Sequence, residues 1–227
     1  MSRTGPPIEA LIFDLFGVII AFDNDIVPTR LARHCTDPDD ALRRFDGLMA
    51  RREIITGEVT LHQVHRQLVD AHGLTLTYPQ FEAAWLEPYS WPMLGMADFV
   101  KALSENHRLV LLSNVDHYYW QVVRAMQPEL EFFTELLVSC DLGFAKPESE
   151  AFLRASQAAG ADPAQCLFVD DTRTNIEAAR ALGFQTHWFR DAPGLHRFLQ
   201  GATTKGFQPP HPDTVHQRVS RHGRHDR

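Results

Sequence analysis

The chain has little cysteine and no long apolar run. Its 227 residues include three cysteines, Cys35, Cys140 and Cys166. Because their number is odd and their spacing fits no metal site, we expect reduced thiols. No stretch approaches the ~18 apolar residues of a membrane span, and the first residues lack the apolar region of a signal peptide. These absences exclude a membrane-spanning or disulfide-stapled class, and they predict a cytoplasmic protein with no membrane partner.

Basic side chains are also scarce. The formal net charge is −7, and because residues 201–227 contribute +3, residues 1–200 carry −10. Nucleic-acid binding rests on Lys and Arg contacts with phosphate, so we expect no nucleic-acid partner. An anionic substrate would need a local positive feature, since the overall field repels it. Segment 201–227 is rich in Pro, His, Thr and Arg, which predicts a disordered tail.

What the sequence does contain is a regular alternation of strand and helix patterns. Short apolar runs typical of buried strands are mostly separated by helical patterns, which predicts an α/β fold with a doubly wound, Rossmann-like parallel sheet. The predicted strands are 9–14, 108–113, 135–139, 166–170 and 185–189, and the helical patterns between them are 94–106, 118–127, 148–160 and 173–182.

One interval departs from this alternation. Residues 25–88 show no strand pattern, only helical segments near 26–35, 37–53, 60–72 and 79–87. We interpret 25–88 as a helical cap inserted into a catalytic core formed by 8–24 and 89–200. A lid at this place would cover the carboxyl ends of the strands, where it could exclude water and select the substrate. An additional helical layer with no lid role is the alternative.

Acidic residues follow two of the predicted strands. Asp14 ends the first strand, and Asp170 and Asp171 end the fourth. Each acid could be a helix cap or turn residue, but the carboxyl ends of parallel strands open on one crevice. Adjacent carboxylates repel each other unless a cation is present, and oxygen ligands suit Mg²⁺. We predict Mg²⁺ held by Asp14, the Phe16 carbonyl and Asp171, with Asp14 as the nucleophile that forms an aspartyl-phosphate.

Hydrogen-bond donors and a basic residue follow the other strands. Ser113 and Asn114 end the second strand, and their side chains can donate to an anion. Lys146 precedes Pro147 and could stabilise developing negative charge. A turn and an exposed lysine are the alternatives at these positions. We predict that Ser113, Asn114 and Lys146 bind the phosphoryl group of a small phosphorylated metabolite such as a sugar phosphate, with Lys146 also catalytic.

These motifs, in this order, resemble the haloacid dehalogenase superfamily over residues 8–200. The stretches that carry the resemblance are Phe13-Asp14-Leu15-Phe16-Gly17-Val18, Leu112-Ser113-Asn114, Lys146-Pro147 and Phe168-Val169-Asp170-Asp171. The helical insertion looks like the family's C1 cap. Within the superfamily, the chain looks most similar to phosphatases of the α-D-glucose-1-phosphate type and to the phosphatase domain of soluble epoxide hydrolases.

Phe16 departs from the pattern of the family's phosphatases. The resemblance implies a second Asp at this position, which serves as general acid and base, whereas haloacid dehalogenases commonly carry an aromatic residue there and need no metal. The acidic pair Asp170-Asp171 favours the phosphatase. A 2-haloacid dehalogenase and a weakly active binding or regulatory protein stay open as alternatives. Asp23, Asp25 and His117 are within plausible loop reach to replace the missing acid. The sequence does not give the physiological substrate or the oligomeric state.

Overall fold

Five strands of the computed structural model, which describes residues 6–201, form one parallel sheet. The strands are β1 (Ala10–Phe13), β2 (Ile20–Phe22), β3 (Ser90–Pro92), β4 (Arg108–Ser113), β5 (Glu135–Val138), β6 (Cys166–Asp170) and β7 (Gln185–Trp188). The sheet has the order β5–β4–β1–β6–β7. This confirms the predicted α/β fold with a parallel sheet, and the five predicted strands differ from the observed ones by at most one residue at either end.

Burial explains why these five runs form one sheet. Every residue of β1 and β6 is buried, as expected of central strands covered on both faces. Alternate side chains enter two apolar cores: Phe13 belongs to one and Ile12 to the other. In the parallel register, Phe13 pairs with Leu111 on one side and with Val169 on the other. The residues that follow β1, β4 and β6 therefore lie at one edge of the sheet.

The helices cover both faces of the sheet and fill the interval between β2 and β3. They are α1 (Ile26–Ala32), α2 (Pro38–Arg44), α3 (Arg52–Ile55), α4 (Leu61–His72), α5 (Tyr78–Leu86), α6 (Met96–Ser104), α7 (His117–Met126), α8 (Ser139–Leu142), α9 (Ser149–Ala159), α10 (Arg173–Ala181) and α11 (Ala192–Gln200). The predicted helices after residue 90 correspond to α6, α7, α9 and α10, whereas α8 and α11 had no counterpart. Within residues 6–201, no helix is long and apolar enough to cross a membrane.

The segment 25–88 differs from its prediction in one place. The predicted helix 37–53 is wrong, because the chain there forms α2, a short 3₁₀ turn at Leu48–Ala50 and α3. Gly47 separates α2 from this turn with φ of +68°, a left-handed conformation that interrupts a helix. The role of 25–88 as a cap stays a prediction.

A two-stranded antiparallel ribbon joins the two ends of this helical segment. β2 pairs with β3 so that Ala21 lies opposite Trp91. No sequence pattern predicts the ribbon, because each strand has only three residues and β3 ends at a proline. The predicted disordered tail, 201–227, lies outside the described residues except for Gly201.

Candidate active site

Lys146 joins two of the predicted acids at the edge of the sheet. Its Nζ lies 2.7 Å from Oδ1 of Asp14 and 2.9 Å from Oδ2 of Asp170. The lysine side chain is only 1% exposed, and both acids are buried. Burying charged groups is costly unless they are paired. These contacts therefore hold the lysine in one place, and they exclude the alternative of an exposed surface lysine.

Asn114 fixes the backbone on which Lys146 is carried. Its Nδ2 donates to the carbonyl of Lys146 over 2.8 Å, and its Oδ1 accepts from the amide of Lys146 over 2.9 Å. The side chain thus bridges the end of β4 to the loop before α9. The observed contacts make Asn114 a positioning residue, and its predicted role in binding the substrate directly stays a prediction.

Asp170 and Asp171 have different surroundings although they are adjacent. The carboxylate of Asp170 is fully buried and accepts from the amide of Thr172 over 2.7 Å and from Nδ2 of Asn175, in addition to Lys146. Asp171 is partly exposed, and within the described residues its carboxylate accepts only a 3.3 Å hydrogen bond from the Thr172 hydroxyl. Asp170 is therefore engaged in holding the structure, whereas Asp171 keeps acceptor capacity for a ligand.

Negative charge exceeds positive charge in this cluster. Carboxylate oxygens of Asp14, Asp170 and Asp171 lie within 4.8 Å of one another, and one lysine contacts two of the three acids. When all three acids are ionised, the cluster carries a surplus of two negative charges. Burial and the charges of Asp170 and Asp171 raise the pKa of Asp14 despite the opposing effect of Lys146. Burial and Asp170 also raise the pKa of Asp171. An all-oxygen donor set with this surplus fits a divalent cation such as Mg²⁺.

The two oxygens of Asp14 differ in their contacts. Oδ1 accepts from the amide of Leu15 and from Nζ of Lys146, each over 2.7 Å. Oδ2 has no hydrogen-bond partner within residues 6–201. One oxygen is thus anchored and the other is left available, an arrangement that suits a nucleophilic carboxylate.

Ser113 is buried at the end of β4. Its Oγ has no hydrogen-bond partner among the described residues. Buried hydroxyl groups are nearly always paired, so an unpaired one indicates a missing partner such as a ligand. This agrees with the predicted role of Ser113, although the role itself stays a prediction.

A cavity of about 520 Å³ opens beside these residues. Asp14, Lys146 and Asp171 line it from the sheet edge. Met49, Ala50, Arg52 and Ile55 line it from the helical segment between β2 and β3. The segment predicted as a cap therefore contributes to the walls of the cavity, as a substrate-selecting lid would.

Phe16 forms part of an aromatic cluster on the cavity wall. Its ring packs edge-on against Phe22 at 5.5 Å between centroids, and stacks parallel to Tyr89 and Tyr119 at 6.4 Å. Phe16, Phe22 and Tyr89 line the cavity. The position where the family's phosphatases would carry an acid is thus part of an apolar surface.

None of the three residues considered as a replacement acid lines the cavity. Asp23 and Asp25 lie outside its walls, and His117 lies beside Cys140 and Asp141. Asp116, a buried carboxylate that no sequence pattern singled out, does line the cavity. Its Oδ1 accepts from the amides at the start of α7, and its Oδ2 accepts from Nε1 of Trp85 in α5. Its place three residues after the second predicted strand was the available signal.

Comparison with known proteins agrees with this geometry. The family model of haloacid dehalogenase-like hydrolases matches residues 8–183. A D-ribitol-5-phosphate phosphatase of Bacteroides thetaiotaomicron is 28% identical over 79% of this chain and 90% of that protein. Bifunctional epoxide hydrolase 2 of Sus scrofa is 30% identical over 86% of this chain but only 39% of that protein.

Solved structures show the same architecture. One is a haloacid dehalogenase family enzyme from Bacteroides thetaiotaomicron, an aspartate-to-alanine mutant in complex with magnesium and inorganic phosphate. It superposes with a TM-score of 0.69 at 25% identity, and the match covers 83% of this chain and 98% of that one. A match over 83% of this chain is too long to leave out the whole helical segment between β2 and β3.

Proposed function

The chain belongs to the haloacid dehalogenase-like hydrolase family, and on this basis we propose that it is a Mg²⁺-dependent phosphomonoesterase. The substrate is a small phosphorylated metabolite, and the reaction proceeds through an aspartyl-phosphate on Asp14. The observation that carries the proposal is the cluster of three carboxylates around one buried lysine, Lys146. A relative named as a D-ribitol-5-phosphate phosphatase supports the substrate class.

Two half-reactions follow from the contacts of Asp14. In the first, its available oxygen attacks phosphorus while the bond from phosphorus to the leaving oxygen breaks, and the leaving oxygen takes up a proton. In the second, water attacks the same phosphorus, loses a proton and releases phosphate and the free carboxylate. The proton gained in the first step balances the one lost in the second. Lys146 and the Leu15 amide hold the other oxygen of Asp14 throughout.

Binding of the phosphoryl group depends on groups around Asp14. The unpaired hydroxyl of Ser113 and the ammonium of Lys146 are suited to its oxygens. Asp14, Asp171 and the carbonyl of Phe16 would hold Mg²⁺, which when bound supplies positive charge against the transferring group. No carboxylate stands at Phe16, so we expect slower proton transfer than in relatives with an acid there, by about 10²–10⁴-fold.

A metal-independent 2-haloacid dehalogenase is the second candidate, favoured by the aromatic ring of Phe16. In that reaction Asp14 would displace halide from carbon, and water would then attack the carboxyl carbon of the resulting ester. The acidic pair weighs against it, because unneutralised carboxylates beside the nucleophile would repel a 2-haloacid anion. A weakly active binding protein is the third candidate, and in such a protein phospho-Asp14 would accumulate without turnover.

A panel of phosphate esters and one 2-chloro acid tests the proposal. We expect phosphate release with Mg²⁺ and none with a chelator. Activity that is unchanged by the chelator would remove the metal from the proposal. Chloride release without Mg²⁺ would establish the dehalogenase, and a single turnover that leaves a stable phospho-Asp14 would establish the binding protein.

A further inference from the structure

We propose that the leaving group accepted by this site is uncharged and presents a flat apolar face to Phe16 and Phe22. The inference rests on the proposed phosphatase function and specifies its substrate class. Three features of the cavity carry it: the pairing of its basic side chains, the composition of its wall and its size.

The two basic side chains that line the cavity, within the described residues, are each already paired with two acids. Lys146 contacts Asp14 and Asp170. Arg52, in α3, contacts Glu148 through Nε at 2.9 Å and through Nη2 at 3.2 Å. Its Nη1 contacts Glu58. Apart from Lys146, therefore, no unpaired basic side chain among these residues is available to bind a second anionic group on the substrate.

The charges that remain around Arg52 are negative. Glu148 lines the cavity together with Arg52, and Glu58 adds a further carboxylate against the same guanidinium. Asp116 is another carboxylate in the cavity lining. A binding site that places its own negative charges next to those of a ligand discriminates against that ligand by repulsion. A substrate with a carboxylate or second phosphate on its leaving group would meet this repulsion.

Part of the cavity wall is apolar and aromatic. The rings of Phe16 and Phe22 are partly exposed and pack edge-on, while Tyr89 backs Phe16 and stacks at 4.0 Å on Tyr119. Aromatic surfaces bind flat rings and apolar faces with specific geometry. The cavity volume, about 520 Å³, falls in the usual range for small-molecule sites and leaves room beyond a phosphoryl group.

Three phosphate esters of primary alcohols separate charge from shape. Benzyl phosphate has a flat uncharged leaving group, 4-carboxybenzyl phosphate adds one negative charge to that group, and glycerol 1-phosphate has an uncharged leaving group with no flat face. With Mg²⁺, we expect kcat/KM for benzyl phosphate to exceed that for each of the other two by at least about tenfold. Equal or higher values for 4-carboxybenzyl phosphate would overturn the charge requirement, and equal or higher values for glycerol 1-phosphate would overturn the flat face.

A substitution of Glu148 tests whether its negative charge causes the discrimination against charged leaving groups. Glu148→Gln keeps an acceptor for Arg52 but removes one negative charge, so the ratio of kcat/KM for 4-carboxybenzyl phosphate to that for benzyl phosphate should rise about tenfold. Glu150→Gln is the matched control, since Glu150 starts the same helix but pairs with Arg154 and lies outside the cavity wall. An unchanged ratio in Glu148→Gln would contradict the proposal.

Variants of the ribbon test the aromatic wall. Phe22→Leu should lower kcat/KM for benzyl phosphate relative to glycerol 1-phosphate, because it keeps apolar volume but loses the ring. Trp91→Leu is the control on the facing strand, where the side chain is 49% exposed and does not line the cavity. Equal effects of the two variants would contradict the role of Phe22. If wild-type protein releases phosphate from no ester of the wider panel, the proposed function fails as well. Activity on that panel with a reversed preference among these three esters, or with none of them hydrolysed, refutes this inference alone.

Discussion

Gly17 lies so close to Asp171 that any side chain at this position would have to displace the Asp171 carboxylate. A Cβ placed on Gly17 would lie 2.2 Å from Oδ2 of Asp171, far inside contact distance, and φ of Gly17 is +79°. Two separate constraints, a left-handed backbone and a carboxylate at contact distance, therefore require glycine at this position. The turn after Asp14 is thus built to bring the Asp171 carboxylate close to the first strand.

Gly17→Ala should abolish Mg²⁺-dependent phosphate release while the protein still folds. The methyl group must displace the Asp171 carboxylate, which we assign to the metal. The left-handed strain itself should cost about 1–2 kcal/mol of folding free energy. Activity at saturating Mg²⁺ and thermal unfolding measure the two effects separately.

Gly183→Ala provides the control for strain. Gly183 has φ of +90°, and apart from its two chain neighbours no residue of 6–201 has a heavy atom within 4 Å of the position of an added Cβ. We expect a comparable loss of stability with activity retained. If the two variants lose activity equally, the contact with Asp171 does not matter and the assignment of Asp171 fails.

Asp170→Asn should chiefly lower folding stability, whereas Asp171→Asn should chiefly weaken the response of activity to Mg²⁺. Asp170 is buried and paired with Lys146, so its amide variant should lose stability by about 3–5 kcal/mol, as expected when one partner of a buried ion pair is removed. Asp171 is partly exposed, so its variant should fold normally but need more than about tenfold more Mg²⁺ for half-maximal activity. Thermal unfolding and Mg²⁺ titration of activity distinguish them, and identical profiles would refute the division of roles.

Replacement of Lys146 should lower both stability and activity, and a second substitution should restore only part of the stability. Lys146→Met leaves Asp14 and Asp170 buried without their cation, so it should lower both stability and turnover. Adding Asp170→Asn removes one unpaired charge and should recover part of the stability but none of the activity. A double variant whose activity returned with its stability would show that Lys146 is only structural.

Asp116 should make stability depend on pH. Burial raises its pKa in the folded protein despite hydrogen bonds from Trp85 and from the start of α7. Since the folded state binds this proton more tightly, the stability it contributes is full below the ordinary pKa of an aspartate and is lost as pH rises through the folded-state pKa. The Tm of wild type minus that of Asp116→Asn should therefore be larger at about pH 4 than at about pH 8. A difference that grows with pH would contradict the direction of the shift.

The sheet and its polar edge could be predicted from sequence, because a parallel sheet needs apolar strand sequences and brings the carboxyl ends of its strands to one edge. Buried central strands leave continuous apolar runs, and residues following those runs, such as Asp14 and Asp170, must meet at one edge. Contacts set by side-chain direction could not be predicted. Asn114 was expected to face an anion but holds the backbone of Lys146. The pairing of Arg52 with Glu148 joins residues 96 positions apart, which no local pattern reveals.

The account depends most on Asp14 acting as the nucleophile toward phosphorus. Acid quenching of a single turnover tests it directly, with the peptide containing Asp14 analysed by mass spectrometry and the released phosphate measured in parallel. We predict that wild-type protein with Mg²⁺ shows a transient phosphorylated Asp14 peptide that decays as phosphate is released, and that Asp14→Asn shows neither the phosphorylated peptide nor released phosphate. Wild-type turnover without phosphorylation of Asp14, or phosphate release by Asp14→Asn at the wild-type rate, would contradict the account.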